Sequence, residues 1–497
     1  MKQVFHRPAN NWHEGFPLGN GRLGAVMHCG ADKEVLSMNE DSLWSGYPYD
    51  ESFKGFSKKC CEEAAKLCRE GKYAEAMDQI ESEGKEASDV QMYVPFGDIV
   101  FDFIGQREVE DYRRELDLSQ AVASFSYSRQ GARYRHSCFI SAVAQALIYK
   151  ITAEECFSLM VSVQGGFVQN TNYLPDGFLA KGECPGRMDR DSFNAKAAKF
   201  SEKPEERGMR FAGLGRIITD GTCRPKEQGL LIKNAREVTL HFALRSSFCG
   251  FHRHPFTQGS NETELVKEDL DRISGTAYSQ LLESHVSDYR RYFDRISLDL
   301  GPDEDAELDI DLRLKKAMTG ENNPAFAALL FDFGRYLLIC CSRQGTQAAN
   351  LQGLWNSEKF PPWFCDYTVN INTQMNYWPT GPCNLDELSE PLLRLNQELL
   401  INGASTAKAM GGNGSACYHN TDIWRKTSPA TGQASWAFWP FGGAWMCRNL
   451  YETYLFSEDI EYLQRLLPVQ EECVFLCLYA SRDQPGACHM PCHLSGK

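Results

Sequence analysis

The segment from Asn350 to Asn384, NLQGLWNSEKFPPWFCDYTVNINTQMNYWPTGPCN, concentrates tryptophans and side-chain amides. Flat apolar rings beside amide donors and acceptors fit a pyranose, which has an apolar face and a rim of hydroxyls. The alternative is a helical core rich in aromatic residues, which would explain any single tryptophan. So many amides would be costly to bury for packing alone. The segment is therefore predicted to form the floor of a sugar-binding site.

A second polar cluster lies in YHNTDIWR, between two helical patterns. Loop side chains commonly face a ligand, and His419 and Asp422 provide groups that a helix cap does not need. Asn420 could equally cap a helix that opens at Ile423. His419 and Asp422 are predicted to bind the sugar. Two tryptophans, Trp378 and Trp436, are candidate stacking platforms.

The end of the chain contains Cys488, His489, Cys492 and His493, which could be read as metal ligands. A haem attachment motif has two residues between its cysteines, whereas this chain has three. A zinc site also needs stable surrounding structure. Neither a metal nor a cofactor is predicted.

The spacing of apolar residues, which predicts the elements that position these side chains, changes along the chain. From Gln120 to Gly165 and from Leu230 to Leu244, apolar residues alternate with polar ones, as in strands with one buried face. Turn residues punctuate these strands, and a long helical pattern occurs only between Ser57 and Lys85. Residues 1–263 are predicted to form an antiparallel β-sandwich.

Beyond about Glu264 the period becomes helical. Residues 264–301 are predicted to form a helical linker, because they carry many charges and little sustained apolar period. One helix is predicted around Phe326 to Cys340, and a capping box of Asn384 and Glu387 is predicted to start another. Further helices are predicted over 443–456, 458–467 and 469–482, the last two separated by Pro468. Serial helices with long loops between them indicate an α/α toroid in residues 302–497.

The composition of the chain indicates which classes of binding partner and which cellular compartment to expect. The formal net charge of −14, from 52 basic and 66 acidic residues, disfavours a phosphate backbone or an anionic membrane. No apolar stretch is expected to span a membrane, and MKQVFHRPANNWHEGF is not a secretory leader. The 19 cysteines include adjacent pairs, which do not suit a disulfide framework. We expect reduced thiols and a cytoplasmic protein that binds neither nucleic acid nor membrane.

In this order, NLQGLWN, PPW, DYTVNINTQMNYW, HNTDIWR and WPFGGAW resemble glycoside hydrolase family 95, the inverting α-L-fucosidases and their α-L-galactosidase relatives. FPLGNGRLGAVMHCG and LSMNEDSLWSGYP resemble the N-terminal β domain of that family. The resemblance extends to about Asp483. It implies a multidomain protein with an N-terminal antiparallel β-sandwich, a helical linker and an (α/α)6 toroid that is incomplete in this chain.

The resemblance also implies a mechanism. In this family the base function is attributed to the amides of an Asn-x-Asn pair, which Asn370 and Asn372 match. A carboxylate must polarise such a weak base, and the family supplies this Asp and the acid Glu of a Ser-Pro-Glu-Asn motif from downstream. Neither the Ser-Pro-Glu-Asn motif nor the Asp-Gly-Asn-Phe-Gly motif expected for the Asp occurs in these 497 residues. Thr368 also stands where many family members carry His. A truncated chain is therefore expected.

The function expected from the resemblance is inverting hydrolysis of terminal α-L-fucose, α-1,2-linked, on fucosylated oligosaccharides or glycans. Two alternatives remain open at this point. One is a non-catalytic or unstable fragment that retains a partial carbohydrate-binding site. The weaker one is a toroidal phosphorylase that acts on an α-glucoside.

Overall fold

The chain folds into two compact units, each assembled from three separate stretches of sequence. Unit 1 contains Met1–Pro48, Gln91–Asp366 and Asn376–Pro391, and unit 2 contains Tyr49–Val90, Tyr367–Met375 and Leu392–Lys497. These units group residues differently from the predicted division at 263 and 301, which stays a prediction. The computed structural model describes residues 1–48, 57–84, 89–105, 108–191, 194–321, 323–430 and 432–481.

Unit 1 is built around antiparallel strands, in agreement with the predicted sandwich. The first eight strands are β1 (Lys2–Phe5), β2 (Phe16–Gly19), β3 (Leu23–Met27), β4 (Lys33–Glu40), β5 (Gly97–Phe103), β6 (Glu110–Asp117), β7 (Val122–Arg129) and β8 (Ala132–Ser141). The next eight are β9 (Ala146–Gln164), β10 (Val168–Leu174), β11 (Gly177–Glu183), β12 (Arg187–Asp191), β13 (Asn194–Lys199), β14 (Arg210–Thr219), β15 (Thr222–Lys226) and β16 (Gly229–Ser246).

The long strand β9 belongs to two layers. Its first half pairs with β8 and its second half with β5, so the continuous ladder folds over on itself. From β9 the order continues β16-β14-β11-β10 on one side and β8-β7-β6-β1 on the other, and β5 leads to β4, β3 and β2. Register shifts in the β9–β16 pairing, at Ala235, increase the local twist that this folding needs.

The predicted alternation is confirmed in β7, where Ala123, Phe125 and Tyr127 are buried and the serines between them are less so. In β16 the prediction of one buried face is wrong, since Thr239, His241 and Ala243 are buried as well as their neighbours. The reason is a helical layer, because α3 (Glu262–Arg272) and α4 (Tyr278–Phe293) pack on this face of the sheet. Much of the predicted linker is therefore a part of the unit 1 core.

Unit 1 also contains α5 (Ile310–Met318) and α6 (Pro324–Cys341). Contrary to expectation, α6 is long and apolar enough to span a membrane by length and composition, with a mean hydropathy of 1.5. Of its residues, 61% are buried inside the protein, as in the core helix of a globular fold. It is the only helix of this kind in the described part of the chain.

The remaining helices include those of unit 2. They are α1 (Lys58–Arg69), α2 (Tyr73–Glu83), α7 (Asn372–Tyr377), α8 (Glu390–Ala409), α9 (Ala434–Ala437), α10 (Gly442–Ser457) and α11 (Ile460–Ser481). The helical stretch predicted after Ser57 is thus two helices, separated at Gly71, whose φ of 76° ends the first one.

Two predicted helix boundaries are wrong. Asn384 has a φ of 50° and does not cap a helix, and α8 begins only at Glu390, after a 3₁₀ turn over Asp386–Ser389. Glu387 instead binds Arg295 through two hydrogen bonds of 2.7 Å. Pro468 does not separate two helices but lies inside α11. Helix α11 continues through Pro468 because the neighbouring residues Leu466, Val469 and Cys473 are buried.

Candidate active site

Two polar segments that are far apart in sequence lie side by side in unit 2. The short strands β17 (Tyr367–Thr368) and β18 (Asn420–Thr421) form an antiparallel pair. The ladder continues into a hydrogen bond of 2.7 Å from the backbone N–H of Val369 to the carbonyl of His419. The Asn-x-Asn segment and the HNTDIWR segment therefore meet at one place.

Asn370 lies in the turn after β17, and Asn372 is the first residue of α7. The turn is closed by Gln374, whose side-chain amide donates a hydrogen bond of 2.6 Å to the carbonyl of Val369. Asn449 in α10 then donates to the carbonyl of Gln374 over 2.7 Å. Both Asn370 and Asn372 are half-buried, and within the described ranges neither side-chain amide has a protein hydrogen-bond partner. Their donors and acceptors remain available to water or a ligand.

The start of α10 explains the first of the two glycines of WPFGGAW. The N–H of Gly442 donates to the carbonyl of Cys417 over 3.0 Å. A Cβ atom at position 442 would lie 2.5 Å from Cγ2 of Val369, well inside the sum of the van der Waals radii. Glycine is therefore required for the close approach of α10 to the backbone that carries Asn370.

His419 is buried, and its imidazole packs edge-on against the indole of Trp436, with 5.1 Å between the ring centroids and an interplanar angle of 76°. Trp436, in α9, is half-buried and lies over Gly432, where a Cβ atom would come within 1.9 Å of its Cη2. Trp436 thus packs against the predicted ligand-binding histidine while part of its ring stays accessible.

Asp422 is fully buried, and its Oδ1 accepts a hydrogen bond of 2.9 Å from the backbone N–H of Trp424. The carboxylate therefore shapes the turn that follows β18. No helix opens at Ile423 in this described segment, so the alternative of an N-cap at Asn420 is wrong.

Arg425 was not singled out by the sequence, although it closes the HNTDIWR segment. Its guanidinium Nε and Nη2 lie 2.7 and 2.6 Å from Oε2 of Glu398, and its Nη1 donates to the carbonyls of Asp422 and Ile423. Asn402 donates to the carbonyls of Trp424 and Arg425. The buried guanidinium of Arg425 thus holds the main chain around Asp422. An arginine close in sequence to the only carboxylate of HNTDIWR was the feature of the sequence that could have indicated this role.

The tryptophan-rich and amide-rich segment does not act as one floor, because part of it serves the fold of unit 1. Asn356 donates from its side chain to the carbonyl of Tyr93 and accepts at Oδ1 from the backbone of Glu358. Trp355 is buried and donates from Nε1 to the carbonyl of Leu18 over 2.8 Å. Trp378, 48% exposed, also belongs to unit 1, whereas the other five predicted site residues belong to unit 2.

A strained turn precedes the Asn-x-Asn segment. Trp363, Phe364 and Cys365 have φ values of 47°, 60° and 51°, a conformation that is uncommon for residues other than glycine. Phe364 and Cys365 are buried, whereas the side chain of Trp363 is 71% exposed. An exposed indole on a strained turn was missed by the sequence reasoning, since PPW has no special spacing.

The described part of the chain contains no group of three or more His, Cys, Asp or Glu side chains that could hold a metal ion. The cysteine and histidine residues after Ala487, which were considered as metal ligands and set aside, lie outside the described residues.

Two family models match separate parts of the chain. Residues 277–493 match the glycosyl hydrolase family 95 catalytic domain, and residues 4–250 match the glycosyl hydrolase family 65 N-terminal domain. The first match continues beyond Asp483, where the resemblance of the quoted motifs ends. A solved structure named as a kojibiose phosphorylase from the human microbiome has a TM-score of 0.55 at 10% identity, covering 96% of this chain and 60% of that one. This likeness shows a shared fold.

Among curated proteins, the chain is 35% identical over 501 residues to alpha-L-fucosidase 2 of Arabidopsis thaliana, a match that covers 96% of this chain and 58% of the relative. It is 28% identical over 460 residues to "Probable alpha-fucosidase A" of Aspergillus niger, covering 89% and 56%. The chain thus spans less than two thirds of the length of these relatives. Residues 277–493 are thus similar to the glycosyl hydrolase family 95 catalytic domain, and the paired Asn-x-Asn and HNTDIWR segments lie within this stretch.

Proposed function

We propose that these residues form the amide-bearing half of an α-L-fucosidase site that acts on terminal α-L-fucose, α-1,2-linked, with inversion. The observation that carries the proposal is the alignment of Asn370 and Asn372 beside His419 in one hydrogen-bonded pair of segments. The names of the Arabidopsis and Aspergillus relatives support fucose as the sugar. A neutral fucosylated oligosaccharide also suits a chain with a net charge of −14.

Inversion requires a base that activates water on one face of the sugar and an acid on the other, roughly 6.5–9.5 Å apart. The side-chain carbonyls of Asn370 and Asn372 can accept hydrogen bonds from such a water. An amide is a weak base, so catalysis needs a carboxylate that polarises it. Asp422, a carboxylate of this site, is buried in a turn, and its Oδ1 accepts a hydrogen bond from the backbone N–H of Trp424. We infer that the 497 residues alone bind the sugar and do not cleave it.

The test is calorimetric titration of the purified 497-residue chain with 2′-fucosyllactose, with lactose as the matched ligand that lacks fucose. We expect binding of 2′-fucosyllactose only. Asn370→Ala and Asn372→Ala should each weaken it about fivefold to tenfold, the effect of one lost hydrogen bond of roughly 1–1.4 kcal/mol. Equal affinity for lactose would contradict fucose recognition.

Fucose release is measured on the same samples. We expect none above the rate in buffer. Release that stops in Asn372→Ala would show that the chain contains a complete acid and base pair, and the inference of a half-site would then be wrong.

We also propose a cytoplasmic location, based on the state of the cysteine thiols. The 16 cysteines whose side chains the structure describes are free, and many of them are buried, which supports a reducing cytoplasm.

A further inference from the structure

Two helices of unit 2, α1 and α2, lie in sequence between strands β4 and β5 of unit 1. The two helices share a small core of four buried side chains, Cys60, Ala64, Ala76 and Ile80. Partly buried side chains from later in unit 2 pack against this core. Two of them, Ala434 and Phe438, are the first residue of α9 and the residue that directly follows it. The early helical pair therefore packs against the helix that carries Trp436.

A charged side chain of α2 also contacts the backbone of α9. Oε1 of Glu81 accepts a hydrogen bond of 3.0 Å from the N–H of Ala434, although 353 residues separate the two in sequence. The first N–H groups of a helix have no partner within the helix. In the described structure the side chain of Gln433, the residue before α9, does not cap them either. The carboxylate of Glu81 takes this role, and a hydrogen bond to an ionised group is stronger than one between neutral groups.

Helix α9 depends on such contacts because it is short. Its four residues make a single turn, and a helix of this length is not stable in isolation. Its position is therefore set by the side chains that pack around it. Glu81 contributes the polar part of this support, and the core of α1 and α2 contributes the apolar part.

Two aromatic contacts connect α9 to the HNTDIWR segment. The indole of Trp436 packs edge-on against the imidazole of His419, with 5.1 Å between the ring centroids. The ring of Phe438 packs against Tyr418, also with 5.1 Å between the centroids. The carbonyl of His419 in turn accepts the hydrogen bond from the N–H of Val369. A displacement of α9 would therefore move two rings that contact the backbone segment of the candidate active site.

We propose that Glu81 is a positioning residue for sugar binding, because it holds α9 so that Trp436 lies against His419. This role rests on the proposed function, since it adds a residue to the same sugar-binding site. Glu81 acts through the hydrogen bond to Ala434 and then through the indole of Trp436, without contact with the sugar. The role requires an acceptor oxygen at position 81, which glutamine also provides.

The first experiment is calorimetric titration of the 497-residue chain and its variants with 2′-fucosyllactose. Glu81→Ala removes the acceptor and should weaken binding about fivefold to tenfold, the usual effect of one lost hydrogen bond. Glu81→Gln keeps an acceptor oxygen and should weaken binding less than about twofold. The matched control is Glu75→Ala, since Glu75 is exposed in the first turn of α2, and we expect unchanged binding. Equal losses in Glu81→Ala and Glu75→Ala would overturn the proposal.

A double variant tests whether Glu81 acts through Trp436. Trp436→Ala alone should weaken binding about threefold to tenfold through the loss of the ring contact. If Glu81 acts only by holding this indole, adding Glu81→Ala to Trp436→Ala should weaken binding less than about twofold further. A full additional loss would show that Glu81 supports the fold of unit 2 in general, and the positioning role would then be wrong.

Hydrogen exchange, measured by mass spectrometry on the sugar-free chain, separates this role from the proposed function. The peptide that contains Ala434 should exchange faster in Glu81→Ala than in the unmodified chain, and at the unmodified rate in Glu75→Ala. Unchanged exchange in Glu81→Ala, with sugar binding by the unmodified chain intact, would overturn the role of Glu81 alone. A lack of sugar binding by the unmodified chain would contradict the proposed function and this role together.

Discussion

The backbone N–H of Val369 donates a hydrogen bond of 2.7 Å to the carbonyl of His419. This contact joins the segment that carries Asn370 and Asn372 to the segment that carries Asp422. Next to this hydrogen bond, the missing Cβ of Gly442 avoids a steric overlap with the side chain of Val369. The geometry of the candidate active site therefore depends on a glycine that has no chemical role.

Gly442→Ala is expected to destabilise unit 2 by about 1–3 kcal/mol, because its methyl group overlaps Cγ2 of Val369. Hydrogen exchange measured by mass spectrometry should show faster exchange in the peptide that contains the Val369 amide. Val369→Ala removes the overlapping atom and should recover at least about 1 kcal/mol in the double variant. Additive effects of the two substitutions would show that the contact between positions 442 and 369 is not the cause.

Glu398→Gln is expected to lower the free energy of unfolding by roughly 3 kcal/mol, since it removes the negative charge that pairs with the buried guanidinium of Arg425. The matched control is Glu452→Gln. Glu452 pairs with Arg448 on the surface of α10, where an ion pair one helical turn apart contributes only about 0.3–0.5 kcal/mol. Urea denaturation measures both variants, and a similar loss in the two would contradict the structural role assigned to Arg425.

The contribution of Glu34 to the stability of unit 1 should fall as the pH rises from 5 to 9. Burial raises the pKa of Glu34 to about 8, partly offset by hydrogen bonds from backbone N–H groups such as that of Gly30. Between pH 4.5 and 8 the folded chain holds this proton and the unfolded chain does not, so folding weakens with rising pH. Over this pH range, the ionisation of Glu34 lowers the free energy of unfolding by roughly 4–5 kcal/mol.

Glu34→Gln should abolish this dependence, because a neutral amide replaces the carboxyl group. The variant is expected to match the unmodified chain near pH 5 and to exceed it in urea midpoint near pH 9. Glu227→Gln serves as the control at an exposed turn between β15 and β16 and should leave the pH profile unchanged. A profile that Glu34→Gln does not alter would show that another group causes the loss.

Pro468→Ala is expected to raise the stability of unit 2 by about 1–2 kcal/mol. A proline inside a helix costs roughly 3 kcal/mol, and part of this gain is lost because alanine leaves the unfolded chain more flexible. The side chain at position 468 is exposed, so the substitution disturbs no packing. Thermal unfolding measures the gain, and a lower midpoint would mean that the proline fits α11 better than its position suggests.

Periodicity carried much of the information about the fold. The alternation in β7 was predicted from spacing and its apolar side chains are buried, and Leu392, Leu395 and Leu399 of α8 are buried at the three-and-four spacing of one helix face. Spacing reports which residues share a face. It does not report how many faces are covered, and this is why β16 and α6 differ from expectation.

Residues that commonly start or stop helices predicted the helix boundaries less reliably than periodicity predicted buried faces. Asn384 and Pro468 are residues that commonly start or stop helices, yet the first lies in a left-handed turn and the second lies within α11. Local preferences of this kind amount to about 1–3 kcal/mol, which burial of a few apolar side chains can outweigh.

By itself, the sequence determined the resemblance to a family, the change from strands to helices and the choice of Asn370, Asn372, His419 and Asp422 as site candidates. Residue types and their spacing are properties of the linear chain. Only the tertiary structure decided that β17 and β18 bring these residues together, that Asp422 is buried in a turn and that Arg425 holds it. These facts depend on hydrogen bonds and burial between distant segments, whose geometry is not set by local sequence.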